Sequence, residues 1–425
     1  MREMKDSGIE WIGKIPEEWT KDKAIRLFNI IGSGTTPKNI TSDFPCVNWI
    51  QSGDINGSLI SSCKNNVSES IISQYSALKI YAAPFIVIAM YGASVGNTSI
   101  SLIDGCVNQA CCVLSASIYN LNYAFYAIKS SQNYLIRKAI GGGQPNISQD
   151  TIKQLWLPLP ALHEQKRIAA FLDAECAEID TVLEKTRASI EEYKKLKQAV
   201  ITQAVTKGIR GDRPMKDSGI EWIGDIPAEW DVVRIKNLFD YRNERNFKPL
   251  EEVNLISLYT DKGVVQHCDL DETTGNKASN ADGYKLVYEN DIVVNIILCW
   301  MGAIGRSAYF GVTSPAYDVY SPKQKTNSKF YHYLFRTNGF SGDCYKVGRG
   351  IMAMRWRTYS DQFRAIKVVS PPQSEQEEIV EYLDEKCEGI DDLIAKKQQY
   401  LIEIESYKKS LIYEYVTGKK EVHPL

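Results

Sequence analysis

Apolar residues recur at three- and four-residue steps along two long segments of the chain. In the first segment, from about residue 162 to 205, they are Ile168, Leu172, Ile179, Val182, Ile190, Tyr193, Leu196, Val200 and Ala204. In the second segment they are Ile379, Leu383, Ile390, Leu393, Leu401, Ile404, Leu411 and Tyr415. Charged residues fill the gaps, so both segments are predicted to be amphipathic helices with a coiled-coil seam.

The ends of these two segments carry ordinary helix boundary signals. Each begins shortly after a pair of prolines, Ser374 is a plausible N-cap, and the segments end at Gly208 and Gly418. At ~1.5 Å per residue, ~45 residues span roughly 65 Å. If the second seam packs on the first, the second helix must run back along it, which predicts an antiparallel pair. The alternative is two unrelated surface helices, each packed on its own module.

An internal repeat decides the predicted architecture. The block from Met4 to Trp19 returns as Met215 to Trp230 with only two differences, at an offset of 211 residues. The same offset relates Glu164-Gln165 to Glu375-Gln376 and Leu172-Asp173 to Leu383-Asp384. Between these points the two copies differ freely. Constant ends with variable middles suggest two modules that do one job on two different targets.

The predicted fold class is therefore α+β, with two globular modules separated by a long antiparallel two-helix coiled coil and a pseudo-two-fold internal repeat. Module 1 covers residues 1–160, with repeat block 4–19, and is followed by a central helix at 161–210. Module 2 covers residues 211–371, with repeat block 215–230, and is followed by a C-terminal helix at 372–420.

Charge adds a modest hint about partners. The net charge is −2, but residues 20–160 hold ten basic against six acidic residues and residues 231–370 hold nineteen against fifteen. The last segment, residues 371–425, is acidic, with seven basic against thirteen acidic residues. The mildly basic modules permit polyanion binding without establishing it.

Several classes of protein are disfavoured by what the sequence lacks. It has no GxxxxGK[ST] phosphate loop, no strand–GxGxxG–helix unit and no Ser/His/Asp or Cys/His arrangement. The four histidines are unpaired with other metal-type ligands, so a zinc site is not expected. Glu192-Tyr193-Lys194 has a nuclease-like spelling, but in a helix it is best interpreted as a solvated face.

Cysteine usage and hydropathy indicate a cytoplasmic protein. The ten cysteines follow no disulfide framework and mostly lie in apolar surroundings, so we expect reduced, buried thiols. No run of about 18 apolar residues predicts a transmembrane helix, and the charged first fifteen residues do not resemble a signal peptide.

Polar loops of module 1 supply candidate contacts to nucleic acid. The segment from Gly32 to Lys38 allows close backbone approach and short hydrogen bonds to a phosphate or base edge, although it could be an ordinary turn. Amides such as Asn108 and Gln109 are the side chains that pair with adenine in two hydrogen bonds. The candidates of this module are Ser33, Gly34, Thr35, Thr36, Lys38, Tyr91, Ser94, Asn108, Gln109, Gln144 and Asn146.

Module 2 offers basic residues interleaved with aromatic ones, a pattern suited to phosphate contact and guanine reading. The most concentrated group is Arg349, Arg355 and Arg357 around Trp356, although any single arginine could belong to a solvated charged face. The candidates of this module are Arg242, Arg245, Lys248, Arg306, Tyr317, Arg349, Arg355 and Arg357. Trp11, Trp19, Trp222 and Trp230 are repeated identically and are interpreted as structural anchors.

These motifs resemble the specificity subunit of type I restriction–modification systems. The resemblance rests on the repeated Lys-Asp-Ser-Gly-Ile-Glu-Trp-Ile-Gly-x-Ile-Pro-x-x-Trp block, the Ser33–Pro37 loop, and the Gln144–Ser148 stretch. It also rests on the two helix starts, Glu164–Asp173 and Glu375–Asp384, and on the Val416–Lys419 ending. It covers nearly the whole chain. Module 2 departs from it, with no SGTTP loop and with Met352–Arg355 in place of Gln144–Ile147.

The resemblance implies a division of labour. Each module would be a target recognition domain that binds one half of a bipartite site in double-stranded DNA, with a spacer set by the helices. Two modification (methyltransferase) subunits would dock on the chain, and restriction (endonuclease/translocase) subunits could join. The chain itself would be non-catalytic, with no catalytic residue, metal or cofactor of its own, because S-adenosylmethionine, ATP and Mg would be held by partner subunits.

Two other functions compete with this interpretation. A stand-alone nuclease would need a cluster of carboxylates that the sequence does not supply. A non-catalytic coiled-coil scaffold for protein partners would show no sequence-dependent DNA affinity. The variable loops on a constant framework favour the DNA-reading function over both.

Overall fold

The structure is a computed structural model that describes residues 2–38, 45–140, 145–267, 280–350 and 356–422. It divides into two compact units. Unit 1 comprises Met1–Arg187 together with Gln399–Leu425, and unit 2 comprises Ala188–Gln398. Unit 1 is thus assembled from two stretches separated in sequence, whereas unit 2 is one continuous stretch.

Unit 1 combines short strands with helices. Its strands are β1 (Met4–Asp6), β2 (Lys14–Pro16), β3 (Thr20–Lys23), β4 (Phe28–Ser33), β5 (Cys46–Ile50), β6 (Leu59–Ile60), β7 (Asn66–Ser68), β8 (Phe85–Ala89), β9 (Thr98–Ser101), β10 (Gly105–Val107), β11 (Cys111–Ser117) and β12 (Trp156–Leu159). Its helices are α1 (Ala24–Leu27), α2 (Glu69–Ile72), α3 (Leu121–Ser130), α4 (Gln132–Lys138), α5 (Gln149–Lys153) and the start of α6 (Leu162–Lys207), with 3-10 turns at Ser52–Asp54 and Gly92–Ser94.

Unit 2 follows the same plan. Its strands are β13 (Met215–Asp217), β14 (Asp225–Pro227), β15 (Asp231–Arg234), β16 (Phe239–Arg242), β17 (Ile256–Tyr259), β18 (Gly263–Gln266), β19 (Lys285–Val287), β20 (Ile292–Asn295), β21 (Ile304–Arg306), β22 (Gly311–Thr313), β23 (Tyr317–Pro322) and β24 (Lys367–Ser370). Its helices are α7 (Ile235–Leu238), α8 (Ser328–Phe335), α9 (Asn338–Val347), α10 (Ser360–Ala365) and the start of α11 (Gln373–Val416), with 3-10 turns at Leu250–Glu252 and Cys299–Met301.

A central sheet organises each module. In unit 1 its strand order is β4-β11-β8-β9-β6, and in unit 2 it is β16-β23-β20-β21. The central strand β8 is buried along its whole length because it has apolar cover on both faces. Ile86 and Ile88 enter the core formed with α3 and α6, while Phe85 and Val87 enter a second core on the other face.

Smaller sheets carry the internal repeat. The repeat block forms a two-stranded hairpin in both units, with Met4 opposite Pro16 and Met215 opposite Pro227. The entry strand of each module pairs with its exit strand, β3 with β12 and β15 with β24. The prediction of an α+β fold built from two repeated modules and two long helices is confirmed.

The long helices pair in opposite directions within each unit. In unit 1, Phe171 packs on Tyr415 with ring centroids 4.5 Å apart, while Arg187 pairs with Glu405 at 2.6 Å. In unit 2, Lys197 pairs with Asp391 at 2.5 Å, and Arg210, just beyond the end of α6 at Lys207, pairs with Glu378 at 2.7 Å. Rising numbers on one helix meet falling numbers on the other, so the predicted antiparallel pairing is confirmed in each unit.

The ends of the helices follow the sequence signals with one exception. Gly208 and Gly418 both adopt left-handed backbone, with φ of +75° and +70°, as the C-terminal glycines require. The assignment of Ser374 as an N-cap is wrong. Helix α11 already begins at Gln373, and the carbonyl of Pro372 accepts from the amides of Glu375 and Gln376.

Three of the predicted seam positions lie outside the buried face of the helices. Val182, Leu196 and Leu393 were counted as seam positions, yet they are 40%, 49% and 42% exposed. Leu183 and Ile190, on the same helical stretch as Val182, are each only 5% exposed, so the covered face of the helix passes through them and not through Val182. Ile168 and Leu172 are buried in the core shared with module 1.

Hydrogen bonds join the N-terminal and C-terminal stretches of unit 1. The hydroxyl of Tyr413 and the ammonium of Lys419 both donate to the carbonyl of Ile12, at 3.2 and 2.9 Å. In addition, the buried hydroxyl of Tyr123 donates to the carbonyl of Val416 at 2.8 Å.

Candidate functional site

The candidate residues of module 1 gather at one end of the central sheet. Strand β4 ends there at Ser33, β11 begins there at Cys111, and β8 ends there at Ala89, since Cys112 lies opposite Ser33 and Cys111 opposite Ala89. The loops that follow or precede these strand ends carry the described candidates Ser33, Gly34, Thr35, Thr36, Lys38, Tyr91, Ser94, Asn108, Gln109 and Asn146. We call this surface edge 1.

Hydrogen bonds hold the loop after β4 against the loop before β11. Ser33 Oγ donates to the carbonyl of Cys111 at 2.8 Å, and Thr36 Oγ1 donates to Gln109 Oε1 at 2.5 Å. A Cβ added to Gly34 would lie 1.7 Å from the carbonyl oxygen of Val107, so only glycine fits there. The side chains of Thr36, Lys38 and Gln109 stay exposed.

A second loop pair completes edge 1. Tyr91 and Asn146 form an antiparallel bridge, and the amide of Gly92 donates to the carbonyl of Pro145 at 2.9 Å. Tyr91 is 42% exposed, and Ser94 Oγ donates to its carbonyl. Gln144 lies outside the described residues.

In module 2 the corresponding end of the sheet carries different side chains. Tyr317 begins β23 opposite Asn295, the last residue of β20, and the amide of Thr358 donates to the carbonyl of Ile296 at 2.8 Å. The segment before Thr358 is closed by an antiparallel bridge between Arg349 and Arg357. We call this surface edge 2. Arg355 lies outside the described residues.

Arg349 and Arg357 are the cations best placed to meet an external anion. Both are exposed, and neither guanidinium has an ion pair or side-chain hydrogen bond within the described ranges. Their backbones are fixed, because each amide donates to the carbonyl of the other at 2.9 Å. A guanidinium held in this way can offer two parallel N–H groups to a phosphate or to guanine.

An aromatic stack supports this pair of arginines. Trp356 stacks on Tyr345 with centroids 4.9 Å apart and planes inclined by 21°, and its indole N–H donates to the carbonyl of Tyr345 at 3.1 Å. Trp300 packs on Tyr345 at 5.6 Å. Gly348 is required beside the stack, since an added Cβ would lie 2.4 Å from Trp356 Nε1.

The other basic candidates of module 2 are mostly engaged internally. Arg242 pairs with the buried Asp291 at 2.8 Å, and Arg245 donates to the carbonyl of Gly283 at 3.0 Å. Arg306 donates to Asn290 Oδ1 at 2.7 Å and lies opposite Ile292, at the far end of β20 from Tyr317. The structure therefore does not bring Arg306 to edge 2, and its role in binding stays a prediction, as do those of Arg242 and Arg245.

Lys248 differs from these three arginines. It is exposed on the segment after β16, the place that the Gly32–Lys38 segment takes after β4 in module 1. The turn around it is fixed by Asn246, whose side chain donates to the carbonyls of Lys248 and Ala281 at 2.8 and 2.9 Å.

A set of buried polar contacts at the start of each long helix was missed from the sequence. In unit 1, Trp19 Nε1 donates to Glu164 Oε2 at 2.9 Å, and Arg2 pairs with Glu164 Oε1 at 2.6 Å. Gln165 accepts from the amide of Asn120 at 2.8 Å and donates to the carbonyl of Pro160 at 2.8 Å. Glu164 and Gln165 are only 5% and 2% exposed.

Unit 2 repeats these contacts with nearly the same lengths. Trp230 Nε1 donates to Glu375 Oε2 at 2.9 Å, and Arg213 pairs with Glu375 Oε1 at 2.7 Å. Gln376 accepts from the amide of Asn327 at 2.9 Å and donates to the carbonyl of Pro371 at 2.8 Å. We call the two sets the helix-start clamps; they comprise Arg2, Trp19, Glu164 and Gln165 in unit 1 and Arg213, Trp230, Glu375 and Gln376 in unit 2.

About two turns further along each long helix, an aspartate binds the module helix whose first turn the clamp holds, α3 in unit 1 and α8 in unit 2. Asp173 accepts from the hydroxyl of Tyr126 at 2.8 Å, and Asp384 accepts from Tyr333 at 2.8 Å. Burial, followed by the bond to the carboxylate, raises the pKa of both tyrosines. The 211-residue offset at these positions was the available signal, since the sequence marked them as repeated without indicating a role.

Three cysteine thiols of unit 1 are buried and uncharged. Burial raises the pKa of Cys111 and Cys112 to about 12 and that of Cys106 to about 11, so these thiols stay protonated at neutral pH. Over the described part of the chain, no group of three or more His, Cys, Asp or Glu residues could hold a metal ion. Among the described residues, no helix is long and apolar enough to cross a membrane.

Comparison with known proteins identifies relatives over most of the chain. The family described as "Type I restriction modification DNA specificity domain" matches residues 16–192 and 227–405. The chain is similar to the type I restriction enzyme MjaVIII specificity subunit of Methanocaldococcus jannaschii, at 26% identity over 71% of each protein. It is also similar to the putative MjaX specificity subunit of that organism, at 28% identity over 69% of this chain and 65% of the relative.

Solved structures with the same fold cover nearly the whole chain. A chain solved in work on complex assembly and conformational transition of the type I R-M system aligns over 96% of this chain and 99% of its own length, with a TM-score of 0.70 and 14% identity. The HsdS subunit from Thermoanaerobacter tengcongensis aligns over 96% and 98%, with a TM-score of 0.52 and 15% identity. These likenesses show the fold.

Proposed function

The chain belongs to the family of type I restriction modification DNA specificity domains, and from that premise we propose that it reads a bipartite sequence in double-stranded DNA. Module 1 binds one half-site through edge 1, and module 2 binds the other through edge 2. The long helices set the length of an unread spacer between the two half-sites.

One observation carries this proposal. The clamps and hairpins that attach each module to its helix repeat residue by residue, whereas the equivalent ends of the central sheets carry different side chains. Edge 1 presents amides and hydroxyls such as Gln109 and Thr36, while edge 2 presents the guanidiniums of Arg349 and Arg357. Amides favour adenine and guanidiniums favour guanine, which suits two readers of different sequences.

The helices also offer a surface for partners of one kind. Val182 and Tyr407 lie on the two long helices of unit 1 and are 40% and 55% exposed. The same offset of 211 residues maps them onto Leu393 and Leu196 of unit 2, which are 42% and 49% exposed. Exposed apolar side chains that repeat on the long helices of both units suit two copies of one partner. We assign these positions to the docking of two modification subunits, with restriction subunits as further partners.

The docking surface can be tested by charge insertion. Val182→Asp should remove one modification subunit from the complex, and Leu393→Asp should remove the other. Light scattering of the co-purified complex reports the stoichiometry, with Glu191→Asp, on an exposed helical position, as a control. A complex that keeps both partners in each variant would contradict the assignment.

The chemistry is assigned to the partners. The sequence offers no phosphate loop or nucleophile triad, which supports a non-catalytic chain whose partners bring S-adenosylmethionine, ATP and Mg. The free, buried cysteines, such as Cys111 and Cys112, support work in the reducing cytoplasm. The purified chain alone should neither cut DNA with magnesium nor methylate it with S-adenosylmethionine, and either activity would overturn this part of the proposal.

The deciding experiment is co-expression with the cognate modification subunit, followed by single-molecule methylome sequencing. We expect one methylated motif with two specified halves and a fixed spacer. Deleting one heptad from each long helix should shorten that spacer. Methylation without sequence preference, or a motif without two halves, would contradict the proposal.

A further inference from the structure

The helix-start clamps join parts of each module that are remote in sequence. Two consecutive helix residues, Glu164 and Gln165, hold the repeat block through Trp19, the end of the exit strand through Pro160, and the first turn of α3 through Asn120. In unit 2, Glu375 and Gln376 hold the equivalent three points. Each module is therefore fixed to the helix from three directions at once.

The helix-start clamps consist of hydrogen bonds and ion pairs, and hydrogen bonds are directional. Hydrogen bonds weaken steeply as their angle departs from linearity, whereas apolar contacts tolerate sliding. A buried ion pair adds little net stability compared with well-packed apolar residues of similar volume. The pairs of Glu164 with Arg2 and of Glu375 with Arg213 are therefore better explained by the geometry they impose than by the stability they add.

A second point of attachment fixes the angle between the module helix, α3 or α8, and the long helix that supports it. Asn120 caps α3 at its start, and Tyr126, six residues on, donates to Asp173. Helix α8 has the same two attachments, through Asn327 and Tyr333. A helix held at two separated points cannot rotate on its support without breaking one of them.

We infer that the helix-start clamps are positioning groups that fix the angle of each module on its long helix, and thereby set how strictly the chain distinguishes the length of the spacer between half-sites. This inference rests on the proposed function. A rotation of about 6° moves an atom roughly 30 Å away, the diameter of a small domain, by about 3 Å, close to the ~3.4 Å rise of one base pair.

The test removes a single donor from each clamp. Trp19→Phe and Trp230→Phe keep an aromatic ring in the buried site but delete the indole N–H. Complexes reconstituted with the modification subunits are assayed for methylation of DNA with the natural spacer and with spacers one base pair longer or shorter. We expect the double variant to keep its rate on the natural spacer within about threefold, while discrimination against altered spacers falls about tenfold or more.

Matched variants separate positioning from stability. Ile86→Val and Ile292→Val each trim one buried side chain in a module core, so they should lower the melting temperature and leave spacer discrimination unchanged. Glu164→Gln with Glu375→Gln keeps an acceptor for the indole N–H and should retain more discrimination than the tryptophan variants. Wild-type discrimination in the Trp19→Phe, Trp230→Phe double variant would overturn the inference.

The failure of this inference is distinguishable from failure of the proposed function. If the wild-type complex methylates DNA without regard to sequence, the proposed function itself is wrong. If the wild-type complex requires a fixed spacer and the double variant requires it equally, only the role of the clamps is wrong.

Discussion

The two units differ where they would meet DNA and agree where they hold their long helices. Glu164 and Glu375 bind the same partner types at nearly equal lengths, while edge 1 and edge 2 have little in common. The difference shows that the sheet ends are free to change as long as the attachment stays constant. A module of this kind can acquire a new target while its attachment to the long helix stays unchanged.

Breaking the clamps should give the largest effect and should affect both units equally. Glu164→Ala and Glu375→Ala each leave a buried indole N–H without its acceptor. Each also removes one of the carboxylates paired with a half-buried arginine, which keeps Glu18 or Glu229. Together these losses should cost about 2–4 kcal/mol in the free energy of unfolding of that unit. Urea unfolding followed by hydrogen exchange at the amides of Asn120 and Asn327 measures each unit separately. Twin variants that differ by more than about 1.5 kcal/mol would break the equivalence of the units.

Removing the exposed arginines of edge 2 should affect one unit alone. Arg349→Ala with Arg357→Ala should weaken DNA binding by the complex roughly 30-fold or more, because each guanidinium contact with a base contributes about 1–3 kcal/mol. Competition binding against DNA altered in each half-site would locate the loss in one half. Arg26→Ala, at the opposite end of β4 from Ser33, serves as the control. Equal loss for both halves would mean that the arginines contact only phosphates.

A pH titration should also distinguish the units. Burial, together with Arg336 and Arg306, lowers the pKa of His332 to about 3 from 6.5, whereas Phe125 takes the equivalent place in α3. Below pH 6.5 the unfolded chain binds a proton that the folded unit 2 does not. Stability is therefore complete above pH 6.5 and is lost as the pH falls towards 3.

The expected loss is about 2 kcal/mol for unit 2 between pH 6.5 and 5, at ~1.36 kcal/mol per pH unit. Urea unfolding at several pH values measures it. In the wild-type chain the amide of Arg306 donates to His332 Nδ1 at 3.1 Å. His332→Asn keeps an acceptor for this amide and should flatten the dependence of stability on pH. A slope of the same size in unit 1 would show that other groups dominate.

The smallest effect concerns the ion pairs that repeat along the helices. Asp180→Asn and Asp391→Asn remove the partners of Lys408 and Lys197. Both carboxylates are more than half exposed, so each change should cost only about 0.2–1 kcal/mol. The melting temperature in low and in high salt measures this loss of stability. A larger loss would mean that these exposed ion pairs contribute substantially to the pairing of the helices.

The sequence predicted the long helices because their periodicity is local and sustained. It could not predict the clamps, since Trp19 and Glu164 are 145 residues apart and nothing near either residue indicates the other. It also could not separate the arginines of module 2. Arg242 and Arg349 look alike in sequence, but strand packing brings Asp291 to the first, while the second has no ion pair with any described residue.

The same limit applies to the helix seam and to edge 1. Periodicity marked Val182 and Ile190 as equivalent seam positions, yet only Ile190 is buried, because the covered face depends on where the partner helix lies. The loops of edge 1 were found as separate polar segments. Their convergence depends on the strand order β4-β11-β8, which no local pattern specifies.

The assembly of unit 1 from two separated stretches has a consequence for biosynthesis. Domains generally fold as units while the chain emerges from the ribosome, the N-terminal one first. Here Tyr123 and Ile12 form hydrogen bonds with Val416, Tyr413 and Lys419. These three residues are translated only after the whole of unit 2. The first module to be synthesised is thus the last to be completed, and an interrupted translation product would expose its unfinished core to proteases and chaperones.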